Sequence, residues 1–277
     1  MHSSVWTRVE QRLSVPESNP VQAQLLEEIA SEVASAAAHL VRAEVGRATK
    51  IRTKSTPTDV LTATDLKVEE FIRDQLTHKS PGSMVLGEEF GTVEGDGDIG
   101  WIVDPVDGTV NLLYGLPVVS VSIAATFRGK VVAGAVADVL AEEVFAASKG
   151  GGAHVDGSGI KVNDVTDLSE SLLGIGFSYS ASQRRIEADV LTTVLPNVRD
   201  IRCMGSAALN LAWVACGRLD AYCESEVEPW DVAAGALIVS EAGGTVDISA
   251  PTSTGSVIAA PPGIVDSLRR LLDDSAA

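Results

Sequence analysis

The spacing of apolar positions changes character twice along the chain. Val21, Leu25, Ile29, Val33, Ala36, Leu40 and Val41 recur at helical spacing, which predicts an amphipathic helix. Asn19-Pro20 supplies its cap and first-turn proline, and the pattern runs on to Gly46. Residues 47–63, with Pro57 and scattered Thr and Lys, read as a loop or short hairpin. A second helix follows Thr64, with Val68, Phe71, Ile72 and Leu76 on one face and Pro81-Gly82 as its stop. Two short apolar runs then end abruptly in acids: Met84-Val85-Leu86-Gly87 meets Glu88-Glu89, and Trp101-Ile102-Val103 meets Asp104. Beyond Val118 the runs at 118–127, 131–139 and 143–147 are β-rich and broken at Arg128-Gly129-Lys130 and Lys149-Gly150-Gly151-Gly152, predicting an antiparallel meander. The glycine triplet also allows a phosphate cradle, but it lacks the Lys-Ser/Thr ending of a P-loop, and the turn reading is the stronger.

The C-terminal part alternates. Helices are predicted at 182–195, 206–216, 231–242 and 262–272, and strands at 201–203, 219–223, 245–248 and 256–259. There is no internal repeat or low-complexity linker. The chain reads as one α+β domain over residues 1–277, with an α+β lobe to about 180 and an α/β lobe from about 181.

At 277 residues the chain can bury a substantial core. No apolar run reaches the length of about 18 residues that a membrane span needs. Residues 1–16 are polar and charged, without the apolar centre of a secretory signal. Cys203, Cys216 and Cys223 show no metal-type spacing, and their odd count predicts reduced, core-packed thiols in a cytoplasmic protein. His2, His39, His78 and His154 lie in unrelated contexts and are read as surface or packing residues. A formal charge of −17 argues against nucleic acid as a main, direct partner. It also sits awkwardly with phosphate chemistry, unless several of the acids hold cations.

Residues 101–111, Trp-Ile-Val-Asp-Pro-Val-Asp-Gly-Thr-Val-Asn, carry the chemistry. A desolvated carboxylate is costly without a partner or cation. Pro105 and Gly108 predict a turn that lets Asp104, Asp107, the intervening carbonyls and the Thr109 hydroxyl face one point. Such an oxygen set suits a hard divalent cation, Mg²⁺ above all; an ordinary Asp-Pro/Asp-Gly turn with solvated carboxylates is the alternative. Trp230-Asp231-Val232-Ala233-Ala234-Gly235 adds an acid at the start of an apolar helix.

Together the acid-tipped runs at 84–89 and 101–111 and the Trp230-Asp231 segment resemble the inositol monophosphatase family of Mg²⁺-dependent, lithium-sensitive phosphatases. The likeness runs from Lys54 to Gly244 in the family's order. It implies a layered α-β-α-β-α sandwich of the inositol monophosphatase/fructose-1,6-bisphosphatase type, a homodimer, and a site at the seam between the halves. It also implies a scheme with up to about three metals and no phosphoenzyme. Carried over by motif, Glu88, Asp104 and the Val106 carbonyl hold the first metal; Asp104 bridges to a second completed by Asp107 and Asp231; Glu88 reaches a third. Thr109 passes a proton to Asp65, in Thr62-Ala63-Thr64-Asp65; as a plain alternative, Asp65 is a helix-start acid. Gly108 and Thr109 offer amides to phosphate. Gly205-Ser206-Ala207 matches a segment that touches substrate, or is a simple helix cap, and Glu224 falls where a carboxylate takes substrate hydroxyls, with Glu226 and Glu228 nearby. Lys54 matches a loop lysine, though loop lysines are usually solvated.

Asn111 favours the inositol-phosphatase type of the motif, whereas Tyr114 and Glu228 replace residues that are often His. The expected reaction is therefore hydrolysis of inositol 1-phosphate. Histidinol phosphate, fructose 1,6-bisphosphate, or another sugar or nucleotide phosphate are alternatives on the same chemistry. A regulatory protein-binding role is an alternative on the same fold, because some bacterial relatives act in RNA-polymerase complexes.

Overall fold

Asn19 accepts the Val21 amide and starts helix α1 (Pro20–Arg42). The computed structural model describes residues 19–249 and 255–275, so the reading of residues 1–16 lies outside the described residues. α1 buries Ala23, Leu26, Ala30, Val33, Ala34, Ala37, Ala38 and Val41, while Val21 and Leu25 are exposed. The alanine stripe has helical period too, and its small side chains let the helix approach a sheet closely, so it displaces the bulkier stripe expected at the N-terminal end. The helix stops at Arg42, and the following turn brings the Gly46 amide to the Leu112 carbonyl at 3.0 Å.

β1 (Lys50–Thr53) and β2 (Val60–Thr62) form the short hairpin, and Thr62 caps α2 (Ala63–Lys79). β3 (Met84–Gly87), β4 (Gly91–Val93), β5 (Ile99–Asp107), β6 (Ser120–Phe127), β7 (Lys130–Asp138), β8 (Val144–Ser148), β9 (Gly152–Val155) and β10 (Ser158–Gly159) build one sheet, ordered β10-β9-β8-β7-β6-β5-β3-β4. The meander continues two strands further than predicted. Its glycine turn is no phosphate cradle: Glu241 already accepts the Gly150 and Gly152 amides at 3.0 and 3.1 Å. A short helix, α3 (Thr109–Tyr114), follows β5.

A second sheet, ordered β12-β11-β13-β15-β14, comprises β11 (Leu172–Ile175), β12 (Asp200–Cys203), β13 (Ala221–Val227), β14 (Thr245–Ser249) and β15 (Gly255–Ala260). α4 (Ala181–Val194), α5 (Ala207–Ala215), α6 (Pro229–Glu241) and α7 (Val265–Ser275) complete the described chain. α1 and α2 cover one face of the large sheet, α5 and α6 fill the space between the sheets, and α4 and α7 cover the far face of the second. This is the expected α-β-α-β-α layering.

Other expectations are corrected. β11, unpredicted, lies inside the second sheet; four residues including Gly174 are too short to show a period. β13 runs to Val227, so Glu224 stands on a strand and not beyond one. The core expectation fails for Cys203, which ends the edge strand β12 and is exposed, whereas Cys216 and Cys223 are half-buried and pack against the cores. Trp230 packs against the inter-sheet core. No described helix is long and apolar enough to cross a membrane.

Candidate active site

The predicted turn at Pro105 is instead a bulge. Asp104 pairs with Ser122 and Asp107 with Ser120, so one extra residue is inserted while β5 continues through the proline. A bulge tolerates a residue without an N–H and re-aims its neighbours. The Val106 amide folds onto Asp104 Oδ1 at 2.9 Å. The chain turns only at Gly108, whose φ of 98° suits glycine; a Cβ there would stand 2.8 Å from the Val118 carbonyl.

The Thr109 hydroxyl lies 2.9 Å from Asp65 Oδ1 and 3.0 Å from the Val106 carbonyl. Asp65 Oδ2 accepts the Thr62 amide at 3.1 Å as well as the Thr62 hydroxyl. Asp65 therefore caps α2 and also faces Thr109, the placement its expected role as proton acceptor requires.

Asp107 accepts from Ser120 Oγ (3.1 Å), Ser206 Oγ (2.5 Å), the Ala207 amide (3.2 Å) and the Ala208 amide (2.8 Å). The segment Gly205-Ser206-Ala207 is thus the N-terminus of α5, turned onto Asp107 where the helix end favours an anion. Ser206 also accepts the Leu209 amide, as a cap. Asn111 Nδ2 donates to the Val118 and Met204 carbonyls, both at 2.8 Å, and a Cβ at Gly205 would lie 3.0 Å from it. Asp231, in the first turn of α6, accepts the Glu228 amide at 2.7 Å.

Glu88, Asp104, Asp107 and Asp231 thus converge from the end of β3, from β5 and from α6. Burial raises the pKa of each. Repulsion from Glu88, Asp107 and Asp231 pushes Asp104 further, well above the usual carboxylate range. The cation facing the cluster is Lys54 of the hairpin, whose Nζ lies 2.6 Å from Glu88 and 2.5 Å from Glu89. Contrary to the solvated-lysine expectation it is largely buried; pairing with the two glutamates holds its pKa above the ordinary lysine value although burial opposes this. Burial and then the Glu88 charge raise Glu89 to about 7.

Among the described residues, no group of three or more His, Cys, Asp or Glu side chains is arranged to hold a metal ion as it stands. Each carboxylate is turned to a protein partner: Glu88 to Lys54, Asp104 to the Val106 amide, Asp107 to α5, Asp231 to its own cap. The donor set nevertheless fits a hard cation. It is all oxygen, it is buried, and its members repel one another.

Glu224 on β13 faces the same region. Burial raises its pKa to about 7, while the Tyr222 hydroxyl, donating to it, opposes the shift. Gly176 makes room for it: a Cβ at Gly176 would stand 1.7 Å from Glu224 Oε2. Glu226 instead accepts the Ser178 hydroxyl and Glu228 caps α6, which leaves Glu224 as the acid of the three facing the cluster. Sequence reasoning missed Glu89 and Tyr179, whose phenol is desolvated and feels the charges of Asp59, Glu88, Asp107 and Asp231. The doubled acid Glu88-Glu89 was the available signal for the first; a lone loop tyrosine offers none.

Residues 22–275 match the model of the inositol monophosphatase family. The chain belongs to that family. It is 46% identical to the inositol-1-monophosphatase of Mycobacterium leprae, over 92% of this chain and 95% of that protein. It is 39% identical to the Nus factor SuhB of Pasteurella multocida, over 75% and 80% of the two. The solved Mycobacterium tuberculosis SuhB superposes with a TM-score of 0.79 at 42% identity, covering 94% of this chain and 98% of that one. The family member described here is therefore a phosphoric monoester hydrolase of the inositol-phosphate phosphatase type, in a metal-dependent phosphatase family, on the expected fold.

Proposed function

We propose that this family member hydrolyses inositol 1-phosphate to inositol and phosphate with Mg²⁺ as cofactor, as a cytoplasmic homodimer of single-domain, two-lobed subunits. Lithium inhibition is expected by the same resemblance. Phosphate monoesters hydrolyse extremely slowly in water, so the site must activate water and neutralise charge. Bound Mg²⁺, about two to three ions per subunit, supplies both.

Glu88, Asp104 and the Val106 carbonyl are the donors for one ion. Asp104, Asp107 and Asp231 are the donors for a second, and Glu88 reaches a third. Thr109 Oγ1 takes a proton from the attacking water while its own passes to Asp65 Oδ1. The Gly108 and Thr109 amides and the segment Gly205-Ser206-Ala207 bind and orient the phosphate end, with Asp107 and Asp231 beside it. Glu224 accepts hydrogen bonds from vicinal hydroxyls of the alcohol. The observation that carries this reading is the 2.9 Å contact from Thr109 Oγ1 to Asp65 Oδ1, set beside buried carboxylates gathered from β3, β5 and α6. The M. leprae relative's name supports the choice of substrate.

The test is phosphate release with Mg²⁺ from inositol 1-phosphate, histidinol phosphate, fructose 1,6-bisphosphate, adenosine 3′,5′-bisphosphate and NADP, with Asp104→Asn alongside. Inositol 1-phosphate should give the highest kcat/KM, and the variant should lose it. Dominance by another substrate overturns the substrate and keeps the chemistry; no release from any overturns both. A regulatory protein-binding role is supported by the P. multocida relative named Nus factor SuhB. A cellular phenotype that survives Asp104→Asn belongs to that role.

A further inference from the structure

Helix α2 reaches the site twice. Its first turn carries Asp65, whose Oδ1 lies 2.9 Å from Thr109 Oγ1. One turn further along the same face stands Glu69, fully buried and outside the set of acids that converge on Asp104. Glu69 Oε2 accepts the Glu89 amide at 2.7 Å, and Oε1 accepts the Phe90 amide at 3.1 Å. Arg73, another turn along, holds the carboxylate from behind: its Nε donates to Oε1 at 2.8 Å, with Nη2 2.7 Å from the same oxygen. Arg73 Nη2 also donates to the Gly91 carbonyl, and the guanidinium lies 5.7 Å from the centre of the Phe90 ring.

The chain between β3 and β4 is therefore wrapped around one buried ion pair. Gly87 completes the wrap, because a Cβ there would stand 2.1 Å from Glu69 Oε1. Glu88 sits in the middle of this stretch and spends its side chain elsewhere, on Lys54 at 2.6 Å. Its backbone is fixed on both sides. The Glu88 amide donates to the Val103 carbonyl of β5 at 3.2 Å, and the next two amides belong to Glu69.

Glu88 needs such a hold. It feels the charge of Asp65, and the lysine it faces is shared with Glu89. A cation at the site competes with that lysine for the Glu88 carboxylate. The grip of Glu69 acts on backbone amides and does not involve Lys54. A carboxylate suits the task, since two N–H groups ask for two acceptor oxygens and an ionised acceptor binds them more strongly. We infer that Glu69, backed by Arg73, is a positioning residue for the metal donor Glu88. One rigid helix thereby sets Asp65 against Thr109 and fixes the turn that presents Glu88. The inference rests on the proposed role of Glu88 in Mg²⁺-dependent hydrolysis.

The experiment is thermal unfolding of the full chain across a Mg²⁺ titration without substrate, because a cation bound to the folded state raises Tm by mass action. Wild type is compared with Glu69→Gln, which sets an NH₂ group against a backbone N–H. The double variant Glu69→Gln/Arg73→Met removes both charges, leaves no uncompensated buried ion and so keeps the fold. Val33→Ala, in the core beneath α1, supplies a loss of stability remote from the site. Both Glu69 variants should need about 10- to 100-fold more Mg²⁺ than wild type for the same rise in Tm. Val33→Ala should start from a lower Tm and keep the wild-type Mg²⁺ requirement. An unchanged Mg²⁺ requirement in the Glu69 variants, or an equal shift in Val33→Ala, would overturn the inference and leave the functional reading standing. A wild-type Tm indifferent to Mg²⁺ would overturn the functional reading and the inference with it.

Discussion

Glu224→Gln should stabilise the metal-free protein at high pH and do little at low pH. In the unfolded chain this carboxyl titrates near 4.5, whereas in the fold burial holds its proton to about pH 7. Between those values the folded state keeps a proton that the unfolded state has released. Stability therefore falls as pH rises through the window, and the deficit is complete above about 7. At about 1.4 kcal/mol per pH unit, the full deficit is about 3 kcal/mol at pH 9 and under about 1 kcal/mol at pH 5. Glutamine has nearly the same shape, still accepts the Tyr222 hydroxyl, keeps its place against Gly176 and carries no charge to desolvate. In chelator, urea or thermal unfolding of variant and wild type should diverge by about 3 kcal/mol at pH 9, which is about 6–12 °C in Tm for a chain of this size. At pH 5 the two should nearly coincide. A variant equally destabilised at both pH values would show that Glu224 is held by contacts the amide cannot reproduce, and would refute the argument from desolvation.

Other perturbations separate the remaining parts of the site. Lys54→Gln leaves Glu88 and Glu89 without their shared cation; unfolding in chelator should show a loss of about 2 kcal/mol, discounted for the partial exposure of the pair. Excess Mg²⁺ should narrow that difference, and a wild-type curve in chelator would count against the pairing. Asn111→Ala removes two 2.8 Å hydrogen bonds and strands the buried carbonyls of Val118 and Met204. Its expected cost is about 2–4 kcal/mol by denaturant titration, and a value under about 0.5 would mean that water replaces the amide. Gly176→Ala puts a methyl group where the Glu224 carboxylate now lies. KM for inositol 1-phosphate should rise several-fold while turnover of p-nitrophenyl phosphate persists; parallel losses would point to a folding defect.

What the sequence revealed followed the cost of placing groups where they do not belong. Asp104 and Asp107 at the end of a buried apolar run, and Asp231 in the first turn of an apolar helix, are expensive without a purpose, so they stood out. The meander was legible because its period is local. The bulge at 105–106 was not, because a proline marks a turn and a bulge equally, and only the pairing of β5 with β6 decides between them. The buried face of α1 was half misjudged because two stripes share one period and the sheet selects the smaller side chains. β11 was too short to carry a signal. Glu88 from Lys54, Met204 from Asn111 and Thr58 from Tyr179 lie tens to more than a hundred positions away, where spacing says nothing.

The four buried acids are not equivalent, and the protein's own donors rank them. Asp107 has two hydroxyls and two amides at the N-terminus of α5, so much of its charge is already compensated when no cation is near. Glu88 has Lys54, and Asp231 has the Glu228 amide. Asp104 has the Val106 amide and feels the charges of Glu88, Asp107 and Asp231 together. Its ionisation and that of Asp231, which has one amide and feels Glu88, Asp107 and Glu224, are thus the least supported by protein groups and the most dependent on an added cation. For that reason Asp104→Asn is the informative variant. Replacing Asp107 would also unpick the helix end that joins the two sheets, so lost activity there would not distinguish chemistry from architecture. At Asp104 the amide relieves repulsion, so the fold should persist, in metal-free protein at least as stably as wild type, while hydrolysis is lost.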